Sequence, residues 1–293
     1  MEITASMVKD LREASGAGMM DCKKALAECN GDMNASIEWL REKGIAKSAK
    51  KESRIAAEGL ANIFTSDSKA VMIEVNSETD FVSKNDEFKN MIDTIGNTIL
   101  NSNAKTLDEA LLLSCDEGTI KDLIVAKTAK IGEKLSLRRI CVVEKSADEF
   151  FGTYLHMGGK IAALVLLKGG NEGVAKDIAM QVAAMKPEYL TSKDVPAEVV
   201  ENERKVLKEQ LLNKDPDKAS KADFIVEGKI KKFFEEVCLA DQAFIKENKM
   251  TVNKYVTDNN AELLKMVRYE VGEGMEKRND NFAEEVMNQV KGN

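Results

Sequence analysis

The sequence predicts an α+β protein: a core of two related halves, each a small antiparallel sheet covered by helices, with a three-helix unit in front and a projecting helical hairpin in the second half. Three observations predict it. An apolar hairpin pattern occurs twice at a constant spacing of 91 residues, glycine turns divide the first 44 residues into three short amphipathic segments, and a coiled-coil-like pattern occupies about 196–237. The expected divisions are 1–54 for the three-helix unit and a basic linker, 55–144 for the first half, 145–265 for the second half with its arm, and 266–293 for a C-terminal helical module.

In chain order, Met7, Leu11 and Ala14 share one helical face before Gly16, Cys22, Ala25, Leu26 and Cys29 share another before Asn30-Gly31, and Met33, Ile37 and Leu40 a third before Gly44. Asp32 is the expected N-cap of the third helix, and Trp39 is expected to seal the thin core or sit at its edge. Met19 and Met20 follow the turn at Gly16–Gly18. They are either core or an adaptable knob for a partner. A phosphate loop is excluded there, because no strand precedes the glycines and no Gly-Lys-Ser/Thr follows. Lys43 to Arg54 carries a net charge of +4 with small residues between, which predicts a solvated linker or helical connection more readily than an RNA contact.

The repeated hairpin is Leu60–Thr65, a turn at Ser66-Asp67-Ser68, then Lys69–Val75. Its second copy is Phe151–His156, a turn at Met157-Gly158-Gly159, then Lys160–Leu167. Helices are expected after each, at Asp86–Leu100 and Leu107–Leu113 in the first half and Val174–Met185 in the second. Leu135–Val143 and Ala243–Lys246 are the runs expected to add a third strand to each sheet. At the strand-to-helix corner the first copy has Thr79-Asp80-Phe81-Val82, where the second has Gly169-Gly170-Asn171-Glu172. Asp80 is positioned to cap the following helix with Phe81 and Val82 packed under it, or Phe81 points outward as an anchor for another protein. A fold that does without these residues in its second copy favours the outward reading. Val200, Leu207 and Leu211 then face Val226, Ile230, Phe233 and Val237 across the break at Asn213–Asp217, an antiparallel hairpin of the kind that makes contacts rather than chemistry. Thr251 is an N-cap, Met266–Val271 reads as a strand, and Phe282, Val286 and Val290 stripe a last helix that docks on its own domain or on a partner.

Composition narrows the function. Of 293 residues, 43% are apolar and 32% charged, with a net charge of −7, which argues against nucleic acid as a partner. No stretch is apolar enough to span a membrane, and the first residues lack the features of a signal or transit peptide, so a cytoplasmic location is expected. Five cysteines form no Cys-x-x-Cys pair, and one histidine, His156, cannot build a zinc site with them, so no metal or cofactor is expected. That histidine sits at a hairpin tip away from any Ser or Cys motif, and Glu78 with Asp80, though spaced to share a strand face, reads as solvated acid. Covalent catalysis is therefore not expected. An adaptor or chaperone-like interaction protein accounts for the helices, arm and charge, but gives no reason for Asp80-Phe81 in one repeat alone.

Several motifs together resemble one family. Val8–Arg12, Gly16–Leu26, Gly31-Asp32 and Leu40–Gly44 are similar to the N-terminal signature of bacterial elongation factor Ts. Thr79–Val82, Ala129-Lys130-Ile131-Gly132-Glu133, and Tyr154 with His156, Gly159, Lys160 and Ile161 resemble its core motifs. Pro196–Glu201 and Arg268–Gly274 resemble its arm and C-terminal module. The full arm resembles the longer type, and Met157-Gly158 departs from the family pattern at a tip of variable length, which bears on the aim of His156. The resemblance implies a guanine nucleotide exchange factor that binds elongation factor Tu, GDP-bound and nucleotide-free, in a heterodimer able to pair with a second copy. It further implies that the three-helix domain is similar to ubiquitin-associated domains and grips Tu's nucleotide domain together with the C-terminal module, while the second half meets another Tu domain. Thr79, Asp80, Phe81 and Val82 would reach the magnesium and phosphate side of the nucleotide pocket, and Gly18, Met19, Met20, His156, Phe282 and Val286 would supply the other contacts.

Overall fold

The computed structural model describes residues 3–276 apart from 16 and 117, and not the side chains of 45 and 47. It is α+β, in two compact units. One comprises the chain to 64, 71–142 and the return from 270; the other comprises 65–70 and 143–269. The N-terminal helices, within the expected division 1–54, lie in the first of these units.

In the first unit α1 (Ala5–Ser15), α2 (Met19–Glu28) and α3 (Met33–Ala49) close around Val8, Leu11, Cys22, Ala25 and Leu26, with Trp39 and Leu40 packed against the edge. Asp32 caps α3 by accepting the Ala35 N–H at 2.9 Å. The helix does not stop before Gly44 as expected. It continues for another turn and more, and Gly44 is a contact point within it, where an added Cβ would lie 3.5 Å from the Ala129 side chain. Within the N-terminal bundle, Ile37 is exposed and Ser36 takes the buried position, its hydroxyl satisfied by the Asp32 carbonyl at 2.6 Å. Ala14 is also exposed.

The chain continues through β1 (Glu58–Thr65), β2 (Lys69–Ser77), α4 (Asp80–Lys84), α5 (Asp86–Leu100), α6 (Leu107–Leu111), the short pair β3 (Ser114–Cys115) and β4 (Gly118–Thr119), α7 (Ile120–Ile131) and β5 (Ser136–Glu144). The sheet order β1-β2-β5 makes β2 central, and its run from Ala70 to Ser77 is buried throughout. The amphipathic α5 lays Phe88, Met91, Ile92, Ile95 and Ile99 on Val71, Ile73 and Val75, each such side chain contributing about 1.5–3 kcal/mol on full burial. Capping boxes at Thr106/Glu109 and Thr119/Asp122 start α6 and α7, and Gly132, at φ +89°, ends α7 in the left-handed conformation glycine adopts without strain.

The second unit repeats the plan with β6 (Glu149–His156), β7 (Ile161–Gly169) and α8 (Glu172–Met185), then α9 (Ala197–Lys214), α10 (Ala222–Val237), β8 (Ala243–Phe244), β9 (Glu247–Thr251), α11 (Val252–Asp258) and β10 (Ala261–Glu270). The 91-residue spacing carries β1 onto β6 end for end, Glu58 onto Glu149 and Thr65 onto His156. β6 and β7 pair antiparallel from Glu149↔Lys168 to His156↔Ile161, and Gly152 lets α8 approach so closely that a Cβ there would lie 1.9 Å from the Ala175 carbonyl oxygen. The third strand of this sheet is β10, in the order β10-β7-β6, and not Ala243–Lys246. That run is too short to pair along β7. It turns instead into the two-stranded β8-β9 hairpin, burying Phe244 in the core stacked on Tyr255 at 4.1 Å between ring centroids. The division expected at 265/266 consequently falls inside β10.

α9 and α10 run antiparallel around Leu211, Ala222, Val226 and Ile230, with Arg204–Glu227 and Lys208–Asp223 ion pairs on the outside. Phe234, one residue on from the expected Phe233, packs against this cluster.

Candidate functional site

The corner after β2 is built by an added helical turn. Residues 170 and 171 alone separate β7 from α8, whereas 78–85 lie between β2 and α5 and contain α4. In the second half Gly169 and Gly170 turn the chain at φ +70° and +72° and Asn171 caps α8 through the Val174 N–H at 3.1 Å. In the first half Asn85 caps α5 through the Glu87 N–H at 2.7 Å, which leaves α4 free to carry other side chains.

The two readings of this corner divide between neighbouring residues. Val82 is buried, in contact with the sheet–α5 core, and Phe81 is 78% exposed. Asp80 is the first residue of α4 rather than its cap. Its carboxylate accepts from Lys84 Nζ at 2.7 Å, and the same ammonium lies 5.6 Å from the centre of the Phe81 ring. An exposed phenyl of this size on a well-anchored turn is the kind of group that fills a pocket in another protein.

Thr79 occupies the N-cap position, yet its hydroxyl makes no capping bond, forgoing about 1 kcal/mol of the usual stabilisation. Instead the Thr79 N–H and Oγ–H donate to the two carboxylate oxygens of Glu133, at 2.9 and 2.7 Å. Glu78 faces the same loop, accepting the Lys134 N–H at 2.6 Å and Arg54 Nη1 at 3.2 Å, so it is not paired with Asp80 in a carboxylate site. Among the described residues no group of three or more His, Cys, Asp or Glu is arranged to hold a metal ion.

The other expected contact residues fall in several places. Met19 and Met20 open α2 with 58% and 76% of their surface exposed, which settles the core-or-surface alternative in favour of the surface, and Gly18 precedes them as the helix N-cap. His156 is exposed at the end of β6, its ring stacked on Tyr154 with centroids 6.1 Å apart. The tip turns through Met157, Gly158 and Gly159, all at positive φ, and Met157 is itself exposed. Phe282 and Val286 lie outside the described residues.

The basic connection after α3 is engaged within the unit. Lys51 Nζ donates to the Gly132 carbonyl at 2.8 Å, Arg54 pairs with Glu78, and Lys134 Nζ reaches the Glu52 and Arg54 carbonyls.

One feature of the sheet escaped the sequence pattern. Glu74, in the middle of an apolar run, is fully buried, and its carboxylate accepts from Arg138, Arg139, Asn76 and the Gly272 N–H. Arg138 and Arg139 in turn donate to the Glu273 and Glu270 carbonyls. Burial pushes the Glu74 carboxyl up, but the Gly272 N–H, Arg138, Asn76 and Arg139 outweigh it and hold the group below the ordinary carboxylate value of 4.5. The only signal in the sequence is an acid in a strand otherwise apolar, set against two consecutive arginines in a later one.

Exposed thioether and aromatic side chains carried on helices are the class of group suited to contact with another macromolecule. Comparison with known families makes that class specific. The sequence model of Elongation factor TS matches residues 78–273, from Glu78 of the corner to Glu273 beside Arg138, and the chain belongs to that family. Its role is accordingly that of a translation elongation factor Ts, with elongation factor Tu as the partner the family implies. No helix among the described residues is long and apolar enough to cross a membrane.

Proposed function

We propose that the chain is a guanine nucleotide exchange factor, which binds elongation factor Tu with GDP or without nucleotide and promotes GDP release without covalent chemistry. The observation that carries this reading is the exposed Phe81 on a helical turn that the second half of the core lacks. Phe81 is the apolar anchor for a pocket in Tu, and Asp80 brings a carboxylate to the magnesium and phosphate side of the nucleotide site, where magnesium coordination by oxygen ligands is exacting and easily disturbed. The exposed Asp80–Lys84 pair does not oppose this, because an i,i+4 pair at the surface is worth only about 0.3–0.5 kcal/mol.

The coupling is reciprocal: by whatever factor the chain weakens GDP on Tu, GDP weakens the chain, and GTP can then displace it. The three-helix bundle serves as a ubiquitin-associated-like domain, the α9–α10 hairpin as a coiled-coil arm, and the complex works in the cytoplasm, with or without pairing of two heterodimers.

Stopped-flow release of a fluorescent GDP analogue from Tu tests the reading. Large acceleration by the native protein, mostly lost in the Asp80→Ala, Phe81→Ala double variant while it still binds Tu, is the expected result. No acceleration by the native protein would sink the exchange reading and leave the non-exchanging adaptor.

A further inference from the structure

The loop after α7 holds the corner at two consecutive residues, Glu78 through the Lys134 N–H and Thr79 through the Glu133 carboxylate. Both contacts cross more than fifty residues of chain and both end on the loop that Gly132 starts. The bidentate bond to Thr79 is unusual in purpose. A threonine at this position ordinarily turns its hydroxyl onto the first turn of its own helix. Here the hydroxyl donates a hydrogen bond instead, and with the backbone N–H it forms a two-point fork onto a carboxylate, the arrangement in which hydrogen bonds are shortest and most directional. What the fork fixes is the entry of α4, two residues before Phe81 and one before Asp80. A five-residue helix has little stability of its own, so its direction is set by what holds its first residue.

The same loop is tied toward the N-terminal bundle. α3 packs along α7, with Gly44 against Ala129 and Arg41 Nη2 3.3 Å from Asp122, and Lys51 Nζ reaches the Gly132 carbonyl. The exposed methionines of α2 and the exposed phenylalanine of α4 are thereby mounted on one helix and its C-terminal loop.

From this we infer that Glu133 is a positioning residue for nucleotide exchange: it aims α4, and with it Phe81 and Asp80, relative to the bundle that carries Met19 and Met20. The inference rests on the exchange reading above. It predicts that loss of Glu133 disturbs the step in which Phe81 enters its pocket while the contact surfaces themselves stay intact.

The test is release of a fluorescent GDP analogue from Tu over a range of concentrations of the full chain, native, Glu133→Ala, Thr79→Val, Thr79→Ser and Phe81→Ala, with amide hydrogen exchange of residues 79–84 measured on each free protein. Glu133→Ala is expected to lower the saturating release rate at least about tenfold, with the half-saturating concentration moving less, and to speed amide exchange through α4. Thr79→Val, which removes the hydroxyl at constant shape, is expected to move both readouts the same way, and Thr79→Ser, which keeps both donors, to recover most of the native rate. A fall in thermal midpoint without the rate and amide changes would mark a merely structural role and overturn the inference. So would a Glu133→Ala saturating rate within about twofold of native while Phe81→Ala is slow, a result that leaves the exchange reading standing. A native protein that does not accelerate release overturns both.

Discussion

The carboxylate of Glu74 and the backbone N–H of Gly272, 198 residues apart in the chain, meet at 2.9 Å in a fully buried site. The strand that scaffolds the Phe81 corner is therefore fastened to the segment Arg268–Gly274, which the sequence marks out as a motif. Gly272 can be there because it has no side chain. At φ +73° a Cβ on it would lie 2.2 Å from the Ala57 carbonyl oxygen.

Removing the acid from that site should be severe. Glu74→Ala leaves two partly buried arginines facing an uncompensated cavity and is expected to destabilise the protein by about 3–5 kcal/mol, read from urea unfolding. The same site gives a pH dependence. The folded carboxyl lies below 4.5, so its contribution is complete above that value and is lost as pH falls through the folded one. The unfolding free energy of the native protein should fall below about pH 4.5 more steeply than that of Glu74→Gln.

Val82 and Phe81 are neighbours with opposite expectations. Val82→Ala removes buried apolar surface and should cost about 2 kcal/mol of stability. Phe81→Ala should change stability by less than about 0.5 kcal/mol and act on nucleotide release instead. Thermal unfolding of the two variants side by side checks the contrast, and a large loss in Phe81→Ala would mean that its ring packs on its own protein.

Affinity and exchange should separate between α2 and α4. Met20→Ala is expected to weaken binding to nucleotide-free Tu more than it slows saturated GDP release, and Phe81→Ala to do the reverse. Titration calorimetry beside the release kinetics measures both quantities.

Two glycines make a paired test of packing. Gly152→Ala forces a methyl into the Ala175 carbonyl and should destabilise the second sheet by about 3 kcal/mol or more. Gly228→Ala, in the middle of α10 with open space around it, should stabilise the hairpin by about 0.5–1 kcal/mol, visible as slower amide exchange in α9 and α10.

Cys238 is shut away at the end of α10. Burial first, then the charges of Asp241 and Asp194, push its thiol from 9.0 up to about 11, so the reactive thiolate is about a hundredfold scarcer than at an ordinary cysteine. Alkylation at pH 8 followed by peptide mapping should find Cys238 labelled far more slowly than the less buried Cys29, Cys115 and Cys141.

Much of this architecture was legible because it rests on local rules. The 91-residue repeat located both hairpins, the apolar period of Asp86–Leu100 located α5, and Asp32 and Thr251 are the caps their chemistry predicts. What stayed hidden depends on partners outside each element. No helix is expected over α7, whose short apolar stripe of Ile120, Leu123 and Ile124 continues in a polar member, Thr128, that accepts the Leu135 N–H from beyond the helix. The apolar run Ala243–Lys246 is the stronger candidate for the third strand of the second sheet, while β10, with most of its positions half-buried, has the weaker signal of an edge. At the candidate site the exposure of Phe81 followed from comparing the two corners. Glu133 falls within the motif Ala129–Glu133, but nothing local marks what its carboxylate does, because the donors it takes up belong to Thr79, 54 residues away.

The return of residues 270–276 to the first unit also bears on the order in which the molecule is made. Synthesis delivers the three helices, β1, β2, α5, α7 and β5 early, but the Gly272 N–H that closes the buried Glu74 site arrives only after all of 143–269 has left the ribosome. Until then Glu74, Arg138 and Arg139 lack the backbone donors and acceptors that make their burial tolerable. The second unit, whose segment 143–269 is contiguous, can complete its core first. A nascent chain halted before residue 270 would thus carry the Phe81 corner on a sheet that has all three strands but whose buried Glu74 still lacks its Gly272 donor.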